Sequence, residues 1–170
     1  DAFELYEEDK IKEAIAVLEE QEPDPGYDSA YLARFLGNLY AADERMGDAL
    51  SVLKSAVDQD VLGWNDQAAA MKLVGQISLQ EEKYEQSLEY LRKWVQFTGE
   101  RDAQVFLYMA NAHYQMKNFA QIIPFARVAL QESEKPDKNI YNLMMASYYE
   151  RKMYPQAIEV LEEGLNKLPE

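Results

Sequence analysis

Apolar residues recur along this chain at three- and four-residue intervals, the spacing of a helix with one buried face. Short polar runs such as "QEEK" (80–83) and "QMKN" (115–118) separate them, and "EPDPG" (22–26) is the sharpest break. The pattern predicts an all-α protein with helices over 1–8, 11–21, 28–42, 46–58, 67–80, 84–97, 102–115, 119–131, 137–151 and 154–167.

One helix contains an oddity. Gly37 lies inside "LGNLYAADERMGDAL" (36–50), where glycine costs about 1 kcal/mol relative to alanine. Twelve residues on, Ala49 stands where a core-facing helix would offer a larger side chain. Its surroundings recur at Ala14, Ser87, Ile122 and Ala157, with spacings of 35, 38, 35 and 35 residues. Twelve residues before these anchors come Ala2, Gly37, Gly75, Ala110 and Met145. Four after them come Leu18, Leu53, Leu91, Ala126 and Leu161. The columns three before and one after are equally apolar, as in Tyr154 and Ile158 of the last unit. Such self-similarity marks a stack of supersecondary units. Paired helices approach closely only where side chains are small, so Gly37 is expected to face Ala49 across one crossing.

The pattern resembles the tetratricopeptide repeat. "LGNLYAADERMGDAL" carries the Leu-Gly, Tyr and second-helix Ala of that family, and "ANAHYQMKNFAQII" (110–123) and "ASYYERKMYPQAI" (146–158) match with substitutions. The resemblance implies a right-handed solenoid of antiparallel helix pairs, a single domain over 1–170. Its repeats would be a partial one over 1–26, then 30–63, 68–101, 103–136 and 138–170, the last closing with Pro169. Met145 and Ile122 fill positions that the family keeps small.

Several residues depart from the repeat. The 38-residue spacing puts three extra residues in "DQDVLGWNDQ" (58–67), which carries Trp64. Trp64 is expected to cover the end of a helix pair; the sharper reading makes it a partner-facing anchor, since tryptophan is enriched at binding hot spots. Trp94 shares a column with Ala56, Ala129 and Gly164 and is expected to fill a widened core gap. Pro124 should remove one hydrogen bond inside its helix and kink it. His113, the chain's one histidine, replaces the tyrosine found at Tyr40 and Tyr148 and is expected to be a packed, partly buried imidazole. No phosphate-cradling loop, HExxH or nucleophile elbow occurs. The sequence therefore points to no catalytic residue, no metal ligand and no cofactor, and to a protein that is not an enzyme.

Charge narrows the partners. A formal net charge of −14 repels phosphate backbones and anionic lipid, which excludes nucleic acid as an expected partner. With no apolar run near 18 residues, no membrane insertion is expected. Without cysteine there is no disulfide framework, which suits cytoplasm and periplasm alike. The chain begins at Asp1 without methionine, as a trimmed or mature form would.

In the resembled family the first helix of each pair lines a concave groove. The corresponding positions hold Tyr31, Arg34, Asn38, Ala41 and Ala42; Ala69, Lys72, Gln76, Leu79 and Gln80; Gln104, Leu107, Asn111, Tyr114 and Gln115; and Asn139, Asn142, Ala146, Tyr149 and Glu150. Eight of these 20 are Asn or Gln, although the chain has only 19, and one is acidic in a chain with 31 acids. Amides both donate and accept, which suits the backbone of an extended peptide. Tyrosines add flat contact area at small entropic cost. The expected peptide-binding set is Tyr31, Arg34, Asn38, Lys72, Gln76, Gln104, Asn111, Tyr114, Asn139, Asn142 and Tyr149. Arg34 and Lys72 with Asn38 partly resemble the clamp by which some members grip a C-terminal carboxylate, but Gln104 and Leu107 stand where further cations would be wanted.

"WVQFTGERDAQVFLYMANAHYQ" (94–115) and "KPDKNIYNLMMASYYERKMYPQAIEVLE" (135–162) look like the tetratricopeptide proteins that accompany TonB–ExbB–ExbD systems of Gram-negative bacteria. That resemblance implies a periplasmic accessory of an uptake machine, with a cytoplasmic protein as the alternative. The competing readings are a self-assembling scaffold, in which one solenoid end packs into a neighbour's groove, and a regulatory arm of a larger protein.

Overall fold

A computed structural model describes the backbone over residues 2–168 and the side chains from residue 10 onward. Pro169 and the side chain of Ala2 therefore lie outside the described residues. Among those residues the chain is all-α, nine helices packed in sequential antiparallel pairs: α1 (Ala2–Glu19), α2 (Tyr27–Ala42), α3 (Met46–Gln59), α4 (Trp64–Gln80), α5 (Tyr84–Thr98), α6 (Ala103–Gln115), α7 (Phe119–Glu132), α8 (Lys138–Glu150) and α9 (Tyr154–Lys167). They fall into two compact units, Asp1–Glu81 and Glu82–Glu170.

The expected boundaries hold closely from α2 onward, with two differences. The helices expected over 1–8 and 11–21 are one continuous α1. Nothing in "EEDKIKEA" (7–14) interrupts it, since Glu, Lys and Ala all favour helix and neither Gly nor Pro intervenes. The three extra residues before the third anchor are not a loop: Trp64, Asn65 and Asp66 add almost a turn to the start of α4.

The short turns share one geometry. Glu44, Glu82, Lys117 and Lys152 each stand five residues before an anchor, and all four adopt positive φ near 60°. Around three of them the chain closes a Schellman motif, with Arg45, Asn118 and Met153 N–H groups donating to the carbonyls of Tyr40, His113 and Tyr148 at 2.8 Å. This satisfies the last carbonyls of each first helix without a glycine. Asp102 caps α6 by accepting from the Val105 N–H at 3.0 Å, and Asp137 caps α8 by accepting from Asn139 at 2.8 Å.

In the first unit Leu50, Leu53, Ala56 and Val57 of α3 are buried, as are Met71, Val74 and Ile77 of α4. The Gln67 amide donates to the Val57 carbonyl at 2.9 Å and ties α4 to the end of α3. On the other side the Tyr40 hydroxyl donates to Glu19 Oε1 at 2.9 Å, linking α2 to α1. Gly37 is buried, and the atoms nearest it belong to Leu53: a Cβ there would stand 2.6 Å from Leu53 Cδ2. The small residue makes room for leucine one turn beyond Ala49.

The second unit packs Ala110, Ile122, Ala126, Ala129, Ile140, Tyr141, Met144 and Val160 into one core. Trp94 is buried, as expected of a gap filler. The Ser147 hydroxyl donates to the Phe119 carbonyl, tying α8 to α7. Pro124 sits within α7, which runs unbroken through it. Ile122, at a position the resembled family keeps small, is fully buried, and Met145 packs against the core's edge.

Candidate functional site

Helical spacing builds the site. On α2, Tyr31, Arg34 and Asn38 follow at intervals of three and four residues and share one face, as Lys72 and Gln76 do on α4. The structure brings four of the five together. Arg34, Asn38, Lys72 and Gln76 line a 270 Å³ cavity floored by Ala69, Ala70 and Leu73. Tyr31 stands at its edge, with the Arg34 guanidinium 5.2 Å from its ring centre and Tyr27 stacked 6.0 Å away. Arg34 Nε is buried and makes no hydrogen bond among the described residues; Asp66 Oδ1 lies 3.9 Å away. That contact is too long for a hydrogen bond.

The chemistry of this cavity follows from its lining. Two cations and two amides converge over small side chains, so an extended backbone can approach closely, and the positive groups suit a carboxylate more than a cation. Sequence reasoning missed Asp66, Ala70 and Leu73. Asp66 lies in the inserted turn, where the repeat offers no register to place it. Ala69 was in the expected lining but carries no polar signal.

In the second unit the expected residues are more scattered. On α6, Gln104 and Tyr114 are exposed and Asn111 is half-buried. The Gln115 amide donates to Asn111 Oδ1 at 3.4 Å, and Tyr114 meets the Phe119 ring edge-on at 6.2 Å. Asn139 and Asn142 are exposed on α8. Tyr149 packs edge-on against Tyr154 at 5.8 Å and lines an apolar cavity with Met145, Ile158 and Leu161, not a cluster of amides.

Two other residues are resolved. Trp64, at the start of α4, keeps 50% of its surface exposed, so it is not fully tucked over a helix end. His113 is more deeply buried than expected, stacked on Phe125 at 5.2 Å, and neither ring nitrogen has a hydrogen-bond partner among the described residues. Burial, with Arg92 nearby, lowers its pKa. As pH falls through about 6.5, the unfolded chain takes up this proton before the folded one does, so stability drops with decreasing pH. Urea melts between pH 7.5 and 5.5 are expected to show that loss, and His113→Phe is expected to flatten it. An unchanged slope in the variant would remove His113 as its source.

Among the described residues no group of His, Cys, Asp or Glu could hold a metal ion, and no helix is long and apolar enough to cross a membrane.

Comparison with known proteins places the fold. No protein-family model matches the sequence, and no curated protein matches it. Solved structures do. MamA AMB-1 superposes in one crystal form with a TM-score of 0.76 at 16% identity, over 92% of this chain and 82% of that one. In a second form it matches 99% of this chain and 100% of the other, with a TM-score of 0.74 at 16% identity. MamA MSR-1 gives 0.73 at 16% identity, over 92% and 86%. The chain thus has a tetratricopeptide-like fold, as in MamA.

Proposed function

We propose that this protein is a non-catalytic interaction module that holds an extended polypeptide segment against its first helices, α2 and α4 in one unit and α6 and α8 in the other. The supporting observation is the convergence of Arg34, Asn38, Lys72 and Gln76 on one cavity whose alanine floor admits a backbone. Tyr31 borders that set. Gln104, Asn111, Tyr114, Asn139 and Asn142 add amides and a tyrosine on α6 and α8, and Tyr149 contributes an aromatic ring beside an apolar cavity. No cofactor is needed, and the partner is a protein or peptide rather than nucleic acid, in keeping with the acidic chain. The accessory role in a TonB-linked uptake system, and with it the periplasm, rests on the sequence resemblance alone; the solved structures add nothing to it.

An array of extended peptides, each with a free and an amidated C-terminus, tests the proposal. Hydrogen bonds to a neutral backbone contribute about 0.5–1.5 kcal/mol each, so Asn38→Ala with Asn111→Ala is expected to weaken binding by roughly fivefold to a hundredfold. Helicity should stay unchanged. Arg34→Ala is expected to cost most for peptides with a free carboxylate, and that loss should shrink with added salt. Parent-like binding by the double variant would move the site elsewhere.

A further inference from the structure

The second unit has a cavity on the side of α6 opposite the groove positions. With about 3.6 residues per turn, Gln104, Leu107, Asn111 and Tyr114 fall on one side of α6, and Phe106, Met109 and His113 on the other. Phe106 and Met109, with Val95 of α5 and Phe125 of α7, enclose an apolar slot of 190 Å³, rimmed by Arg92 and Gln96 one turn apart on α5. Its walls are packed from behind. His113, itself buried, stacks on Phe125 at 5.2 Å, and the Phe106 and Phe125 rings lie 6.1 Å apart at a 36° tilt. Met109 is the buried floor, and its flexible thioether adapts to what enters.

The size and the charge of the slot identify its occupant. A volume of 190 Å³ is below the roughly 300–1,000 Å³ of sites for drug-sized molecules and suits one large side chain. Aromatic walls favour an aromatic one, through offset or edge-to-face contact. Arg92 is the one charged residue of the lining, and neither its side chain nor that of Gln96 makes a hydrogen bond or ion pair with any described residue. The neighbouring charges are engaged: Glu89 with Lys93 at 3.6 Å, Arg101 with Glu132 at 3.3 Å and Arg127 with Glu163 at 3.0 Å, while Asp102 caps α6. Exposed Lys83 and Glu85 lie nine and seven residues before Arg92, and exposed Lys117 eight before Phe125. At 1.5 Å per residue these three are beyond about 10 Å, where salt screens exposed charges. Glu100, past the Gly99 that ends α5, repels an acid placed on that side. A carboxylate is therefore best placed at Arg92, whose fork-shaped guanidinium suits it. A second copy of this chain, also at −14, meets net repulsion. We infer that this slot takes an aromatic side chain of a different protein, with an Asp or Glu next to it in sequence that pairs with Arg92.

The probe is a six-residue peptide with a central Phe-Asp, acetylated and amidated so that it carries no terminal carboxylate for the α2–α4 cavity. Ala-Asp and Phe-Lys versions are its controls. NMR titration of the whole chain reads the Met109 methyl and the imidazole of His113, the chain's one histidine. The Phe-Asp peptide is expected to shift both signals saturably. The Ala-Asp peptide is expected to bind about tenfold to a hundredfold more weakly, the loss of one buried aromatic side chain. The Phe-Lys peptide should be weaker several-fold, as an exposed charge contact allows. Arg92→Glu, at an exposed position, is expected to reverse the order of Phe-Asp and Phe-Lys. Asn111→Ala, on the other side of α6, is expected to leave the affinity unchanged, which separates this slot from the groove. An unreversed order in Arg92→Glu would overturn the inference, as would Met109 and His113 signals that stay still at millimolar peptide. So would a dimer in sedimentation that Arg92→Glu abolishes, since the occupant would then be a second copy.

Discussion

Gly37→Leu is expected to destabilise the first unit by about 3 kcal/mol, the upper end of the cost of overpacking a core. Even a methyl group at this position would stand 2.6 Å from Leu53 Cδ2, and Leu53 is fully buried. Gly37→Ala sets two effects against each other. Alanine gains about 1 kcal/mol of helix propensity over glycine, but its Cβ must displace Leu53. The net result is expected to remain a loss. Gly47 supplies the control, because a Cβ there would meet nothing within 4 Å. Gly47→Ala is expected to stabilise by about 0.4–1 kcal/mol. Urea melts of the three variants check the set; a Gly37→Leu protein as stable as the parent would refute the packing of α2 on α3.

Leu91→Ala is expected to cost about 2–5 kcal/mol, the range for deleting a buried leucine and leaving a cavity. Leu161→Ala, in the same column of the repeat, is expected to cost less than about 1 kcal/mol, as exposed substitutions usually do. Sequence periodicity alone would make these two equal, and the fully buried Leu91 against the 44% exposed Leu161 separates them. The same melts decide it. Equal losses would mean that α9 is covered in solution as α5 is.

These two cases show what the sequence carries. The helix boundaries were legible because the repeat constrains each of them several times over, through apolar columns and polar turns at fixed offsets. The need for a small residue at Gly37 was legible for the same reason. The closest atoms were not, since a column says which positions are small but not which atoms meet, and those nearest Gly37 belong to Leu53. The exposure of Leu161 was also hidden. Leu161 matches Leu53 in its column, and only the packing of a further helix distinguishes the two. In the site, Arg34, Asn38, Lys72 and Gln76 were named together because each pair shares a helix face at spacing four. Asp66, beside Arg34, escaped because three inserted residues took it out of register.

The central claim is that an extended peptide lies against the first helices. Its most direct test is an NMR titration of side-chain amide and guanidinium resonances with the tightest peptide from the array, carrying a nitroxide at its midpoint. The account predicts shift changes and paramagnetic broadening at the Asn38 and Gln76 amides and at Arg34 Nε, while the exposed Ser51 and Ser55 of α3 keep their backbone signals. Broadening confined to the second helices, α3 and α7, with the Asn38, Gln76 and Arg34 signals untouched, would contradict it.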